Sequence, residues 1–349
     1  MESLAECMRF LFTGLPPAVS VGLFFLLGAG VGNLLAKWMI RLTEQVRVDR
    51  TQIHAQNEPT SPWWHSTPIA GFFLSRARSR YHNEPVGGWG LFVELGTGLL
   101  FAGFVVAMVW FDCQTTTEVQ PDEIWRYGRI FYHLTLISLL VAATGTDFRE
   151  YIIPDSITIP GIAIGVLGAT LSGQLQMIHL WVDWNDPMLV LKGAYIPAWI
   201  DQSRHWHGLA WSVTGLVTGA GITWLVRAVS KWVLGRDALG FGDVTLMAMI
   251  GSFVGWQPIV FIFLLAPLCG LVVGLTVRLI AGQTFLPYGP FLSAATVTVL
   301  LSWKWMWTAS RNTFGDAPGL AKLAGMALIA LIVLLGLIRL YRAIPVQRR

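Results

Sequence analysis

The sequence predicts an all-α polytopic membrane protein with about eight to nine transmembrane helices. Hydrophobic residues make up 54% of its 349 residues, and charged residues make up only 13%. A chain with so few charges cannot cover a water-facing surface, and its repeated apolar segments of about 20 residues match the length of a membrane-crossing helix. The lipid bilayer is therefore an expected partner. The net charge of +4 is small and confined to a few loops, so it indicates no nucleic-acid surface.

The beginning of the chain divides into one membrane span and one polar region. Residues 1–39 contain the first predicted transmembrane helix, at residues 17–39, which is long enough to cross a hydrocarbon core of roughly 30 Å. Residues 40–90 are polar and hold six arginines but no cysteine. Because cytoplasmic loops carry excess basic residues, we predict that residues 40–90 form a cytoplasmic loop region and that the N-terminus lies outside.

Four further spans fit this orientation. The loop at residues 112–127 contains four acidic residues and a single arginine, which is typical of the outer face. The connection at residues 172–206 is long and rich in tryptophan, and we expect it to lie partly in the outer interface. These four predicted spans are residues 91–111, 130–146, 157–171 and 208–226.

The rest of the chain adds four apolar segments and a basic tail. The segment at residues 244–256 is short, and a proline follows it almost at once. Four arginines lie between positions 339 and 349 and predict a cytoplasmic C-terminus. We assign residues 91–309 to a membrane core and residues 310–349 to an additional helix with the basic tail. The predicted spans are residues 244–256, 259–279, 290–306 and 320–340.

Two aspartates fall at the predicted cytoplasmic ends of membrane helices. Asp147 follows the third span, and Asp243 begins the sixth span within the sequence GFGD. An ionisable group at the mouth of a membrane helix is costly and therefore indicates a functional site. Gly240 and Gly242 allow the backbone to turn sharply before Asp243. The predicted topology places both carboxylates on the same face of the membrane.

Two carboxylates that lie close together can perform acid–base chemistry. They cannot both ionise cheaply, so the pair shares one proton. One carboxyl group can then act as general base on a water molecule while the other protonates a substrate carbonyl, with no metal and no covalent intermediate. The alternative is that each aspartate merely caps a helix, because Asp is a preferred N-cap residue. Their separation along the sequence leaves both interpretations open.

Several segments around the aspartates resemble one known family. DFREYIIPDSITIPG begins at Asp147, LGFGDVTLMAMIGSFVGW contains Asp243, and FLPYGPFLSAA lies at the eighth span. Together with SRARSRYHNEP and FVELGTGLLF upstream, these segments are similar to those of the type IV prepilin leader peptidases, which are membrane aspartic peptidases with a GxGD motif. The resemblance covers about residues 61–298.

The resemblance implies an activity and a location. Asp147 and Asp243 would be the catalytic pair, and Gly240 and Gly242 would shape the turn that presents Asp243. The substrates would be prepilin-like or pseudopilin precursors, from which the enzyme removes a short basic leader at the cytoplasmic face of the bacterial inner membrane. Such precursors serve type IV pili or type II secretion.

The same resemblance assigns supporting residues. Pro154 and Asp155 correspond to the apolar-Pro-Asp triplet that follows the first catalytic aspartate in the family. The acidic residues Glu150, Asp237 and Glu94 would attract the basic leader of the substrate. The simpler interpretation is that each of these carboxylates is a solvated loop charge.

The sequence also departs from the family. Many bacterial members bind zinc through four cysteines in the first cytoplasmic loop, whereas this loop has none. His54, His65 and His82 do not follow a zinc-binding spacing, so we predict no metal site. The family's methyltransferase motif is only loosely matched by GAGVGNLLAKWMIRL. We therefore expect a peptidase without a cofactor, and S-adenosylmethionine would be needed only if methyltransferase activity is retained.

Three alternatives to this function remain at the level of sequence. A peptidase of the presenilin type also uses GxGD, but its accompanying Tyr-Asp and Pro-Ala-Leu motifs are missing at matching places. A proton-coupled transporter would hold its carboxylates near the bilayer midplane, whereas Asp147 and Asp243 are predicted at the boundary. An inactive relative of the peptidase is the third alternative, although both aspartates are present.

Overall fold

All nine segments predicted to cross the membrane are helical in the computed structural model. Backbone surrounded by lipid must satisfy its own hydrogen bonds, which a helix does within one segment. The structure describes residues 2–51, 69, 88–181, 198–237, 239–281 and 287–343. Within them the helices are α1 (Glu2–Arg9), α2 (Pro17–Thr51), α3 (Trp89–Val109), α4 (Glu123–Glu150), α5 (Asp155–Ser172), α6 (Ala198–Gln202), α7 (Arg204–Leu234), α8 (Phe241–Val254), α9 (Trp256–Ala281), α10 (Gly289–Gly315) and α11 (Ala317–Ala343).

The described residues contain helices and no β-strand, which confirms the predicted all-α polytopic class. Six helices in this part of the chain are long and apolar enough to cross a membrane, namely α2, α3, α4, α5, α7 and α11. Two shorter apolar helices are α8 and the Trp256–Val272 part of α9. With 14 residues, α8 is only about 21 Å long and by itself does not reach across a bilayer core of about 30 Å.

Several helix boundaries differ from those predicted from hydropathy. Helix α2 continues to Thr51, so the limit placed at residue 39 falls inside a helix. Helix α10 continues to Gly315, so the predicted end of the membrane core at residue 309 also falls inside a helix. The chain begins with the unpredicted α1 and a π-helical turn, Phe10–Gly14. Hydropathy detects apolar length, whereas polar residues with good helix propensity extend a helix without raising its hydropathy.

Close backbone contacts join α7 to α8. Gly215 and Gly219 lie four residues apart on α7 and face the carbonyl oxygens of Gly251 and Met247 on α8. A β-carbon at either glycine would overlap the facing oxygen. Small residues at such positions let membrane helices pack with their backbones in contact. This packing fixes the helix that begins next to Asp243.

We expect Gly215→Leu to separate α7 from α8 and to destabilise the protein by about 1–3 kcal/mol or more, because the added side chain has no space at this contact. The matched control is Gly221→Leu on the same helix, where a β-carbon would meet nothing within 4 Å. The measurement is the midpoint of thermal unfolding of the two purified variants in detergent. Equal midpoints would show that the close contact is not needed.

Helix α4 lies at the centre of the bundle and connects its two ends. It contacts α1, α2, α3, α5, α8 and α10. Its last turn carries Asp147, and the residue before its first turn, Asp122, accepts a hydrogen bond from Gln174 at 2.6 Å. We call these the aspartate end and the opposite end of the bundle. The peripheral helix α11 is largely exposed, because only 6% of its most apolar 18-residue stretch is buried.

Candidate active site

Asp243 is held by the first turn of α8. Gly240 precedes the helix, and its backbone N–H donates to Oδ2 of Asp243 at 2.9 Å. This is the carboxylate half of a capping box, and the helix dipole adds favourable interaction with a negative charge at this position. Asp243 is only 8% exposed. Gly242 faces Ile153, and a β-carbon there would lie 3.1 Å from the Ile153 Cβ atom.

Asp147 is held by two helices. It lies in the last turn of α4, which ends where Tyr151 adopts a left-handed conformation with φ 56°. The backbone N–H of Gly289, the first residue of α10, donates to Oδ2 of Asp147 at 3.0 Å. Asp147 is 6% exposed. A helix N-terminus presents unpaired N–H groups and a positive dipole end, which together stabilise a carboxylate.

The fold brings these two carboxyl groups into one site. Asp147 and Asp243 interact electrostatically. Ile153 is buried between the two backbone segments that hold them, because its Cβ atom packs on Gly242 and its Cδ1 atom would lie 3.1 Å from a β-carbon at Gly289. Within the described part of the chain, Oδ1 of each aspartate has no hydrogen-bond partner and is free to bind water.

Two further side chains interact with Asp243. The charge of Arg227 on α7 acts on Asp243. The charge of Asp243 in turn acts on the phenol of Tyr288, which lies just before α10. Arg227 also donates to the Leu239 carbonyl oxygen at 3.2 Å and to Asp237 Oδ2 at 2.8 Å. Arg227 therefore ties the loop before GFGD to helix α7.

Pro154 and Asp155 lie at the connection between α4 and α5. Pro154 is the N-cap of α5, and its carbonyl oxygen accepts from the Ile157 N–H at 3.0 Å. Asp155 occupies the first turn and is exposed, where its charge complements the helix dipole. Both residues thus shape the turn that carries Ile153 into the site.

The three acidic residues assigned to leader binding occupy different environments. Glu150 is the last residue of α4, three positions after Asp147. Asp237 forms ion pairs with Arg227 and, at 3.9 Å, with Lys231. A carboxylate with two cationic neighbours attracts a basic leader less than an unpaired one would. Leader binding by Glu150 and Asp237 stays a prediction.

Glu94 belongs to a separate polar cluster between α2 and α3. It is 6% exposed, and its two carboxylate oxygens accept from Asn33 Nδ2 and from the Ile69 N–H, each at 2.5 Å. Both oxygens are therefore already engaged within the described residues. Its assignment to substrate binding stays a prediction.

Sequence reasoning missed residues whose role depends on the fold. Gly289 lies in the FLPYGPFL segment, which was recognised as a motif but given no role. Arg227 and Ile153 carry no sequence signal that distinguishes them from other loop cations and apolar residues. The glycine after Tyr288 was the available clue, because a glycine at the start of a helix permits close approach.

The structure does not test the prediction about metal binding in the first loop, because His54, His65 and His82 lie outside the described residues. Among the residues that are described, no group of three or more His, Cys, Asp or Glu side chains is arranged to hold a metal ion.

Comparison with known proteins relates the chain to one family. Residues 134–275 match the profile of the type IV leader peptidase family, and this range contains both aspartates. Similar curated proteins carry the name prepilin leader peptidase/N-methyltransferase. Those from Xanthomonas campestris, Pseudomonas putida and Myxococcus xanthus are 25%, 26% and 26% identical over 67%, 66% and 74% of this chain. No solved structure matches the chain.

These matches span part of each relative. The aligned regions cover 66%, 65% and 63% of the Xanthomonas, Pseudomonas and Myxococcus proteins, which is just under two thirds of their length. The family profile begins within α4 and ends within α9. It therefore covers the part of α4 that carries Asp147 and all of α8, which carries Asp243.

Proposed function

We propose that the chain is a member of the type IV leader peptidase family, whose profile it matches, and that it is an aspartic endopeptidase of the GxGD type. It removes the basic leader from prepilin-like or pseudopilin precursors at the cytoplasmic face of the bacterial inner membrane. The observation that supports this most directly is the convergence of Asp147 and Asp243, each fixed by one backbone N–H at the same end of the bundle.

The proposed mechanism needs only these two side chains and a water molecule. The carboxyl groups share one proton, because two interacting carboxyl groups in one buried site cannot both be charged cheaply. The ionised group takes a proton from water, which attacks the carbonyl carbon of the scissile bond. The protonated group donates to the carbonyl oxygen and a tetrahedral intermediate forms. The intermediate collapses as the group that took the proton from water passes it to the leaving amine, and the other group regains its proton from an intermediate hydroxyl. The glycine N–H groups keep both carboxylates oriented throughout.

The position of the pair fits a substrate that enters as a membrane helix. Asp147 lies in the last turn of α4 and Asp243 in the first turn of α8. A peptide bond at the end of a membrane helix is more readily unwound than one at the bilayer midplane, where lost backbone hydrogen bonds are costly. A proton-coupled transporter would instead place its carboxylates near mid-helix. The helix-end position therefore favours the peptidase.

The processing assay tests the proposal directly. The full-length protein is reconstituted in liposomes with a purified pilin-like precursor that carries its basic leader, and the product is analysed by gel and mass spectrometry. We expect loss of the leader just before the precursor's apolar segment, at a single bond. An intact precursor, with a relative of established activity cleaving it in parallel, would reject the proposal.

N-methylation of the product is a second candidate activity, because the relatives' names include N-methyltransferase. The same mass spectra would show a methyl group as about 14 Da on the new N-terminus when S-adenosylmethionine is added. In the described residues, Asn33, which belongs to the loosely matched motif on α2, donates a hydrogen bond to Glu94 on α3. This pair does not offer a free donor set for the cofactor, and we derive no methyl-transfer step from it.

We expect chelators to leave cleavage unchanged, because the proposed chemistry uses carboxyl groups and no metal. The measurement is the initial cleavage rate after dialysis against EDTA, with and without added zinc. Inhibition that zinc reverses would contradict this prediction and would point to His54, His65 and His82. The triple variant of these histidines to Ala serves as the control.

A further inference from the structure

A cavity of about 440 Å³ lies at the opposite end of the bundle. It is enclosed by the π-helical turn before α2, the end of α3, the loop at residues 112–121 and the first turns of α4. Its lining combines apolar side chains such as Met108 and Ile130 with polar ones such as Gln120 and Tyr127. A cavity of several hundred Å³ with a few convergent polar groups has the size and character of a small-molecule site.

The cavity contains a buried arginine without an acidic partner. Arg129 lines it and is 4% exposed. None of the ion pairs between described residues includes Arg129. Among the residues that the structure describes, its Nε atom has no hydrogen-bond partner, and its one hydrogen bond is a long 3.5 Å contact from Nη2 to the Gln174 carbonyl oxygen.

The charges around Arg129 do not neutralise it. Arg126 also lines the cavity, and its like charge acts on Arg129. The one carboxylate in the lining, Asp112, is already bonded to Arg126 at 2.6 Å. The two arginines and one aspartate leave the lining with one excess positive charge. A buried charge without a partner is strongly unfavourable, and an anion bound in the cavity removes that cost.

The depth of Arg129 indicates which anion fits. It is the seventh residue of the 28-residue helix α4, about 9 Å from the helix start, and the helix is about 42 Å long. A bilayer core of about 30 Å leaves roughly 6 Å of α4 beyond the core at each end. The Cα atom of Arg129 then lies about 3 Å inside the core boundary, a depth from which a long arginine side chain reaches the lipid headgroups. The planar guanidinium group matches phosphate oxygens in a bidentate arrangement.

We propose that this cavity binds a phosphate group, held by Arg129 and supplied by an anionic lipid headgroup or by a free phosphate. The site is independent of the proposed peptidase chemistry. Asp147 follows Arg129 by 18 residues on the same helix, which corresponds to about 27 Å. Bound phosphate stabilises the opposite end of the bundle, where α1, the loop at residues 112–121 and α4 meet.

The test measures thermal unfolding and native mass spectra of the full-length protein in detergent. The probes are phosphatidylglycerol, phosphatidylcholine and inorganic phosphate. We expect phosphatidylglycerol to raise the unfolding temperature and to remain bound in the mass spectrum. Arg129→Gln weakens its apparent affinity at least tenfold, whereas Arg204→Gln, which removes an exposed arginine at the same end, leaves it unchanged.

The probes distinguish the two sources of phosphate. A response to phosphatidylglycerol alone assigns the site to a lipid headgroup, and a response to inorganic phosphate as well assigns it to a free oxyanion. A wild-type protein that responds to neither would overturn the proposal, and so would a loss of response equal in both arginine variants. If Arg129→Gln fails to fold, Thr115→Trp fills the exposed rim of the cavity while keeping Arg129. Unchanged phosphatidylglycerol binding by that variant would also reject the site.

Discussion

Asp147→Asn and Asp243→Asn are each expected to lower the rate of leader cleavage by at least about 10³-fold. Asparagine has nearly the shape of aspartate and can still accept the hydrogen bond from Gly289 or Gly240. It can neither take nor give a proton in the reaction. The substitution therefore removes acid–base chemistry while preserving the packing, and the initial rate in the liposome assay measures the loss.

The control for this pair is Asp316→Asn. Asp316 lies between α10 and α11 at the opposite end of the bundle, so the same chemical change should leave the cleavage rate unaltered. Circular dichroism of all three variants checks that the helices are intact. Cleavage at the wild-type rate by either active-site variant would eliminate the acid–base pair, and the helix-cap interpretation would then be correct for that aspartate.

The two aspartates could be predicted from sequence because of where they lie relative to the apolar segments. An acidic residue next to a membrane helix is rare enough to attract attention. Glu94 was assigned to leader binding, and the structure shows it bonded to Asn33 in a separate cluster. Hydropathy identifies a costly carboxylate, but it does not identify the group that satisfies it. Only the fold shows that a glycine backbone N–H bonds each aspartate, whereas a side-chain amide bonds Glu94.

The helices themselves were predictable, whereas some of their ends were not. Lipid requires helical backbone, so the nine apolar runs located helical segments, and six helices of the described residues are long and apolar enough to cross a membrane. The polar end of α2 beyond residue 39 and the amphipathic α1 are outside that rule. The contact between Gly215 and Gly251 was equally hidden, because it depends on which two helices lie side by side.

Gly289→Ala is expected to lower the cleavage rate by at least about 10²-fold with little loss of stability, since a displacement of about 1 Å at a catalytic group has effects of this size. A β-carbon at Gly289 would lie 2.5 Å from Asp147 Oδ2 and 3.1 Å from Ile153 Cδ1. The carboxylate must move away, and its hydrogen bond from the Gly289 N–H is lost. The cleavage rate with saturating precursor measures the effect.

Two companion variants show whether this effect acts through Asp147. Gly96→Ala adds the same methyl group on α3 at a position where nothing lies within 4 Å, and it should cleave at the wild-type rate. Ile153→Val combined with Gly289→Ala removes the Cδ1 contact but leaves the contact with the carboxylate. Only a small recovery is therefore expected from the double variant. Full recovery would show that Ile153, and not the aspartate, is the group that the methyl displaces, and that Gly289 serves packing more than the orientation of the catalytic pair.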